Sequence, residues 1–121
     1  MNIILLFYKN NKKIVLNTIK NFLDSKTALA IWYLDDGTLR KDCKGLRLHT
    51  NSFTHNEVCM LQNVLLENFQ IESKLHKQGS SFNIYVGSSN DQSEKFCNII
   101  RPFVTSEIPS MLYKLLEPCN D

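Results

Sequence analysis

The sequence lacks a long apolar run, because no uninterrupted hydrophobic stretch in its 121 residues approaches the roughly 20 residues that span a bilayer. The opening residues 1–8 also lack the basic start and the small-residue cleavage site of a secretory signal peptide. The formal net charge of +2 is too small to indicate a nucleic-acid partner, so the positions of the charges must support any such inference. These features predict one domain with no membrane partner.

The four cysteines show neither a CxxC pair nor metal-ligand spacing. They predict reduced, mostly buried thiols in a reducing, intracellular compartment. Lysine far outnumbers arginine, and asparagine and isoleucine are abundant, which is typical of an A·T-rich genome such as that of a mitochondrion or another organelle. A glycine-rich phosphate loop and a serine elbow are absent, and the three histidines are not at zinc-ligand spacing.

The most unusual stretch covers residues 27–37, which are apolar on every side up to Leu34 and then end in Asp35, Asp36 and Gly37. A helix that is hydrophobic all round is buried, and the helix dipole disfavours two carboxylates in its last turn. Gly37 is predicted to adopt a left-handed C-cap conformation. Adjacent carboxylates at a buried helix end can ligate a hard cation such as Mg²⁺, and a solvated surface pair is the alternative.

After Gly37 the hydrophobic period changes to two, which predicts a first hairpin from residues 38–41 and 46–51 and a second from residues 71–78 and 81–87. One face of the resulting sheet is apolar and the other is polar and basic. Side chains of this kind contact base edges in DNA, although an ordinary solvated sheet face is an equally valid interpretation of the composition. This polar sheet face carries Arg47, His49, Asn51, Lys74, His76, Gln78, Asn83 and Tyr85, with Arg40 nearby.

A capping box of Thr54 and Glu57, with Phe53 placed to contact Val58, predicts a helix that ends near Phe69. A further helix is predicted from about residue 89, stopped by Pro102, and a last short helix covers residues 108–116. The element order is therefore α-β-β-α-β-β-α-α, an α+β fold with a four-stranded antiparallel sheet.

The residues before this domain are less regular. Residues 3–8 suit a strand, residues 9–13 a polar turn and residues 14–23 a helix. The lysines of the turn could form a nucleic-acid-binding arm or a solvated turn. We divide the chain into a lead-in segment (1–24), one domain (25–116) and a tail (117–121).

Residues 29–37, Leu-Ala-Ile-Trp-Tyr-Leu-Asp-Asp-Gly, resemble the LAGLIDADG motif of homing endonucleases, in the variant found in the second half of two-motif, intron-encoded members. The resemblance continues in order through residues 48–54, 99–102 and 111–115 and covers residues 12–116. It implies the family's half-domain, in which the four-stranded sheet forms a DNA-binding saddle.

The resemblance also implies that two such domains pair through their motif helices and share a metal site, to which Asp36 contributes the ligand and Asp35 its neighbour. Carbonyl groups near Leu34 could add to the metal shell. Mg²⁺, with Mn²⁺ as a substitute, would support hydrolysis of one phosphodiester on each strand of a duplex with a long target site. Lys114 matches a family lysine near the scissile phosphate.

On the same resemblance, the polar side chains of the sheet and its turns would contact DNA, and the apolar motif helix would contact the second domain. The implied DNA contacts are Arg40, Lys41, Lys44, Arg47, His49, Asn51, Lys74, His76, Lys77, Gln78 and Asn83. The implied domain contacts are Ala28, Leu29, Ala30, Trp32 and Tyr33.

The chain contains one motif where the two-motif relatives contain two. It would therefore pair with a second copy or with a separately encoded first half, or it is a remnant. An unpaired copy holds half a site and would not cleave. Three functions remain open: a site-specific DNA endonuclease subunit, a maturase that binds intron RNA, and a catalytically silent DNA-binding domain.

Overall fold

The computed structural model describes the backbone of Tyr8–Lys9 and Lys12–Lys13 and the whole of residues 25–40 and 43–116. Tyr8–Lys9 (β1) pairs antiparallel with Lys12–Lys13 (β2). Lys9, Lys12 and Lys13, which were predicted to lie in a polar turn, therefore belong to strands. The helix predicted at residues 14–23, most of the strand predicted at residues 3–8, and Lys41 lie outside the described residues. No helix in the described ranges is long and apolar enough to cross a membrane.

The elements of the domain follow the predicted order. Helix α1 spans Lys26–Asp36, β3 Gly37–Leu39, β4 Leu46–Leu48, α2 His55–Phe69, β5 Lys74–Gln78, β6 Ser81–Val86 and α3 Gln92–Glu107. A 3-10 turn at Ser89–Asp91 precedes α3, and a 3-10 segment at Pro109–Lys114 follows it. Strands β3 to β6 form one antiparallel sheet in the order β3-β4-β6-β5. The predicted α+β fold with a four-stranded antiparallel sheet is therefore confirmed.

The core lies between the helices and the apolar face of the sheet. Alternation along the strands places Leu46 and Leu48 of β4 on the same face as Ile84 and Val86 of β6, and all four side chains are fully buried. Helix α1 packs on α3, where the Tyr33 ring meets the Phe96 ring edge-on at a centroid distance of 5.3 Å. Burial of this face leaves the polar sheet face without helices among the described elements.

Helix α2 begins with the predicted capping box. Glu57 N donates to Thr54 Oγ1 at 3.2 Å, and Thr54 N donates to Glu57 Oε1 at 2.9 Å. Phe53 and Val58, the two residues predicted to meet across this turn, are both buried in the core. The local sequence therefore determines where α2 begins.

We expect Thr54→Ala to lower the free energy of unfolding by about 1 kcal/mol, because an N-terminal amide of α2 loses its acceptor. Urea denaturation measures the change, and Asn56→Ala, an exposed substitution in the same turn, is the control. Equal losses in the two variants would show that the cap does not stabilise the helix.

Pro102 does not end α3, contrary to the prediction, because the helix continues to Glu107. A proline removes the N–H that would bond to the carbonyl four residues earlier, which belongs to Asn98. Both residues are exposed, so water can solvate that carbonyl. Helix α3 consequently buries Phe96, Ile100 and Val104 along one stripe, whereas Ile99, predicted to be buried, is only half-buried.

The cysteines also differ from the prediction. The three in the described ranges are free thiols, but Cys43 is exposed, Cys59 is half-buried and only Cys97 is buried. The expectation of mostly buried thiols is therefore wrong for these positions, because Cys43 lies in the β3–β4 turn and Cys59 on the outer part of α2.

Candidate functional site

Helix α1 runs directly into β3, with Asp36 as its last residue and Gly37 as the first residue of the strand. Gly37 has φ −100° and ψ 159°, which is an extended conformation, so the predicted left-handed C-cap is wrong. The glycine is required by close approach instead, because a Cβ here would overlap the Tyr33 ring and lie 2.5 Å from the Tyr33 carbonyl oxygen. Because α1 continues directly into β3, Asp35 and Asp36 lie at the edge of the sheet. Asp35 is exposed and Asp36 is half-buried.

Lys114 reaches the same end of α1 from the C-terminal 3-10 segment. Its Nζ donates to the Leu34 and Gly37 carbonyl oxygens, each at 2.9 Å. The Tyr33 hydroxyl in turn donates to the Lys114 carbonyl oxygen at 2.7 Å. A cation at this position complements the helix dipole and satisfies terminal carbonyls, which offsets the unfavourable placement of two carboxylates. The two residues predicted to be catalytic, Asp36 and Lys114, therefore lie at one helix end.

His49 follows β4 directly and lies beside the end of α1. Its backbone N donates to the Asp36 carbonyl oxygen at 2.8 Å, and its Nε2 lies 2.8 Å from Thr38 Oγ1. Burial lowers the pKa of His49, as does Arg47, whereas the Asp36 carboxylate acts in the opposite direction. Thr38 was not among the predicted site residues, and only its position directly after the acidic motif could have indicated it.

The carboxylates at the end of α1 are suited to form one half of a metal site. Within residues 25–40 and 43–116, no three Asp, Glu, His or Cys side chains converge to hold a metal ion. The chain offers the carboxylates of Asp35 and Asp36, and Mg²⁺ commonly takes only one or two protein carboxylates and keeps several waters. The Leu34 carbonyl, predicted as a further metal ligand, instead accepts a hydrogen bond from Lys114.

Tyr85 lies at the centre of the polar sheet face. It pairs in register with Arg47 on β4 and with Lys74 on the edge strand β5. The His76 ring stacks on the Tyr85 ring at a centroid distance of 4.4 Å, and the Arg40 guanidinium carbon lies 5.4 Å from that centroid. These contacts place one guanidinium and one imidazole against the same aromatic ring.

A concavity of about 480 Å³ adjoins this cluster toward the β5–β6 turn. Arg47, His76 and Gln78 line it, and the Arg47 Nε–H is a buried donor that has no acceptor within the described part of the chain. A buried donor of this kind favours an incoming acceptor such as a base edge or a phosphate oxygen. Lys74 and Gln78 are exposed on the same face.

Asn83 is placed differently from the prediction, because it is only 2% exposed. Its Oδ1 accepts from Thr50 N at 3.1 Å, and its Nδ2 donates to Gln78 Oε1 at 2.8 Å. The amide therefore orients Gln78 and anchors the segment after β4. Asn83 also lines the concavity beside Arg47, and its direct contact with DNA stays a prediction.

The remaining predicted DNA contacts lie at the margins of the sheet. Lys44 is exposed in the β3–β4 turn, and Asn51 is exposed in a turn beyond the end of β4, which is shorter than predicted. Lys77 is exposed but pairs with Phe82, so strand alternation places it on the opposite face from His76. Lys41 lies outside the described residues.

The five α1 residues predicted to contact a second domain are buried in the core of this chain, and none is more than 6% exposed. Burial places them in the core of this chain, and their contact with a second domain stays a prediction. These residues are Ala28, Leu29, Ala30, Trp32 and Tyr33. The accessible side of α1 carries Thr27, Ile31 and Asp35, spaced four residues apart, with Ile31 half-buried.

Comparison with known proteins gives a consistent set of similarities. The sequence profile described as the LAGLIDADG DNA endonuclease family matches residues 2–96. The chain is 43% identical over 111 residues to cytochrome b mRNA maturase bI2 of Debaryomyces hansenii, a match that covers 90% of this chain and 39% of the maturase. It is 34% identical over 115 residues to probable intron-encoded DNA endonuclease 3 of Mycosarcoma maydis, covering 91% of this chain and 80% of that relative.

Among solved structures, the fold is similar to that of the homing endonuclease I-WcaI bound to its DNA recognition sequence. The TM-score is 0.78 at 30% sequence identity, and the match covers 95% of this chain and 51% of the other. The chain thus spans about half the length of this solved relative and 39% of the maturase.

Proposed function

The chain belongs to the LAGLIDADG DNA endonuclease family, and from that premise we propose that it is one half of a site-specific, Mg²⁺-dependent DNA endonuclease. One observation carries the proposal: Asp36 is the last residue of α1, and the Lys114 ammonium binds the carbonyls of Leu34 and Gly37 on either side of it, where the polar sheet face begins. An acidic metal ligand and a cation at the edge of a basic surface are what phosphodiester hydrolysis requires.

Duplex DNA is the proposed substrate. The polar sheet face presents lysine, histidine and glutamine side chains on β5 and an arginine on β4, with β6 between these two strands. Side chains of these types contact base edges in the major groove. Arg47 and Gln78, which line the concavity, would contact base edges, whereas Lys44 in the β3–β4 turn would contact phosphates. The solved relative that was captured with its recognition sequence supports this assignment.

In the proposed reaction, Asp36 would hold Mg²⁺ with Asp35 as its neighbour, and the cation would supply Lewis-acid chemistry for phosphodiester hydrolysis. Lys114 has three ammonium donors, of which two are engaged by the Leu34 and Gly37 carbonyls. The third donor is therefore available to a phosphate oxygen. His49 borders the same site and would contact the adjacent backbone.

Pairing with a second domain of the same fold would complete the site. The accessible side of α1, formed by Thr27, Ile31 and Asp35, lies next to Asp36 and offers a narrow surface for a second helix. Contact along this side would bring two acidic helix ends together, so that each domain cleaves one strand. The second domain is a second copy or a separately encoded first half.

Cleavage of a randomised duplex library by the full chain tests this function. We expect breaks at one recurrent sequence in Mg²⁺, weaker cleavage in Mn²⁺ and none in EDTA. A separately encoded partner domain is added if the full chain binds the selected site without cleaving it. Absence of any selected duplex sequence would contradict the proposal.

A maturase function is the second candidate, because the similarity to a cytochrome b mRNA maturase extends over 90% of the chain. Binding of intron RNA would then be the activity, and a mitochondrial intron would be the proposed source of the reading frame. Splicing assays separate the two candidates, since a maturase should tolerate Asp36→Asn and an endonuclease should not.

His76 gives the proposed DNA complex a dependence on pH. Burial lowers the pKa of His76 below its ordinary value of 6.5, and Arg47, Arg40 and Lys74 lower it further, so the free protein carries a neutral imidazole at neutral pH. Phosphates favour the protonated ring, so the complex binds more protons than the free protein and affinity rises as the pH falls into the range where the ring becomes protonated in the complex.

We expect His76→Gln to remove a gain in affinity of up to about tenfold, the equivalent of one pKa unit, between slightly alkaline and slightly acidic pH. Fluorescence anisotropy with a selected duplex measures the effect. His55→Gln is the control, because the His55 ring contacts Phe82 at a tilted angle on the other side of the sheet. An unchanged pH profile in His76→Gln would contradict the assignment.

A further inference from the structure

Tyr33 is a polar side chain within the apolar helix α1, and its hydroxyl has one long-range partner. The residue is fully buried, its ring edge meets Phe96, and its hydroxyl donates to the carbonyl oxygen of Lys114 at 2.7 Å. Burial raises the pKa of the Tyr33 hydroxyl well above its usual range, so it remains a neutral donor. A phenylalanine would fill the same core space, so packing alone does not require the hydroxyl.

Lys114 is consequently held by α1 at both ends of the residue. The Tyr33 hydroxyl donates to the Lys114 backbone carbonyl, while the Lys114 ammonium donates to the carbonyl of Leu34 in the last turn of α1 and to that of Gly37, the first residue of β3. The ammonium also lies 6.0 Å from the centroid of the Tyr33 ring. A lysine side chain is otherwise rich in rotamers, and fixing its backbone beside the helix reduces the number of positions that the ammonium can reach.

The chain beyond Lys114 is fastened separately to α3. Leu116 N donates to Cys97 Sγ at 3.4 Å, and Arg101 Nη2 donates to the Leu116 carbonyl oxygen at 2.6 Å. Leu115, which lies between Lys114 and Leu116 in the chain, is buried. Loss of the Tyr33 hydroxyl would therefore allow the backbone of Lys114 to move, while the C-terminal segment stays bound to α3.

We propose that Tyr33 is a positioning residue, whose hydroxyl fixes the backbone of Lys114 so that the ammonium stands beside Asp36 at the end of α1. The geometric part concerns this chain alone. The consequence for catalysis rests on the proposed endonuclease function. Tyr33 itself touches no substrate, because it is enclosed by the core.

The test compares Tyr33→Phe with Tyr113→Phe in the full chain. Tyr113 neighbours Lys114 in sequence but is 71% exposed, so its variant removes a hydroxyl close to Lys114 without changing the internal hydrogen bonds. With ¹⁵N-labelled lysine, we expect a protected Lys114 ammonium signal in the wild type and in Tyr113→Phe. The same signal should be lost through exchange with water in Tyr33→Phe.

Single-turnover cleavage provides the second readout. Tyr33→Phe is expected to lower the rate on the order of tenfold to a hundredfold with an unchanged KM, because misplacing a catalytic group slows chemistry and leaves the polar sheet face intact. A purely structural role would lower the fraction of active protein and leave the rate of that fraction unchanged. Such a result would overturn the positioning role.

The two proposals fail in different ways. If the wild type binds no DNA and cleaves none but the ammonium signal depends on Tyr33, the endonuclease proposal fails and the positioning geometry stands. If the ammonium signal is the same in both variants, the positioning role is overturned. If Tyr33→Phe does not fold, the hydroxyl proton of Tyr33 is measured in the wild type instead. Slow exchange of this proton with water, together with a nuclear Overhauser contact to Lys114, supports the positioning role. Rapid exchange overturns it.

Discussion

Asp36→Asn is expected to abolish Mg²⁺-dependent cleavage of the target duplex while leaving its affinity for DNA nearly unchanged. We expect a fall in rate of about a thousandfold or more, because loss of the metal ligand removes several kcal/mol of transition-state stabilisation at about 1.4 kcal/mol per tenfold. Binding should persist because Arg47, His76 and Gln78 lie on the sheet and do not depend on the carboxylate. Rate and affinity are measured on the same selected duplex.

Asp35→Asn is the matched control, since it removes the same charge one position earlier on the exposed part of the helix end. The account predicts a much smaller loss of rate for this variant, because Asp36 is the residue whose backbone carbonyl is bonded to His49, the residue after β4. Equal losses in the two variants would contradict the different roles assigned to the carboxylates, and loss of DNA binding in Asp36→Asn would contradict its role in chemistry.

Gly37→Ala is expected to destabilise the whole domain by about 3 kcal/mol, the upper part of the range for overpacking in a core. The added methyl would overlap the Tyr33 ring and approach the Tyr33 carbonyl oxygen to 2.5 Å. Neither group can move easily, because the ring is fully buried and the carbonyl accepts the Gly37 N–H within the helix end. Urea denaturation measures the loss.

Gly79→Ala separates close approach from backbone conformation. Gly79 has φ +63° in the β5–β6 turn, and a Cβ there would meet nothing within 4 Å, so the expected cost is only about 1 kcal/mol of conformational strain. If Gly37→Ala cost no more stability than Gly79→Ala, the close-approach explanation would be wrong, because the extended backbone of Gly37 is open to any residue.

Local sequence was sufficient where neighbouring residues determine the structure. The capping box that begins α2 involves residues three positions apart, and the turn at Gly79 needs one residue that tolerates positive φ. The alternation along β4 and β6 likewise predicted the core face correctly, because successive side chains of a strand point to opposite faces of the sheet.

Long-range contacts were not accessible in the same way. The periodicity of α1 predicted burial, but it could not show that the domain's own core would enclose Tyr33, or that its hydroxyl would bind the Lys114 carbonyl. Asn83 was assigned to the polar sheet face by alternation, and only the fold reveals that Thr50 and Gln78 occupy its amide. The proximity of Asp36 and Lys114 was expected from the family resemblance and from no local pattern.

The central claim is that the polar sheet face is the nucleic-acid interface and that it leads to Asp36. Titration of the ¹⁵N-labelled full chain with a selected duplex, followed residue by residue by nuclear magnetic resonance, tests it most directly. The account predicts chemical-shift changes at Arg47, His76 and Gln78 that continue to the Asp36 end of α1, with further changes there when Mg²⁺ is added. Changes confined to the helical side, around His55 and Lys95, with an unperturbed sheet would contradict it.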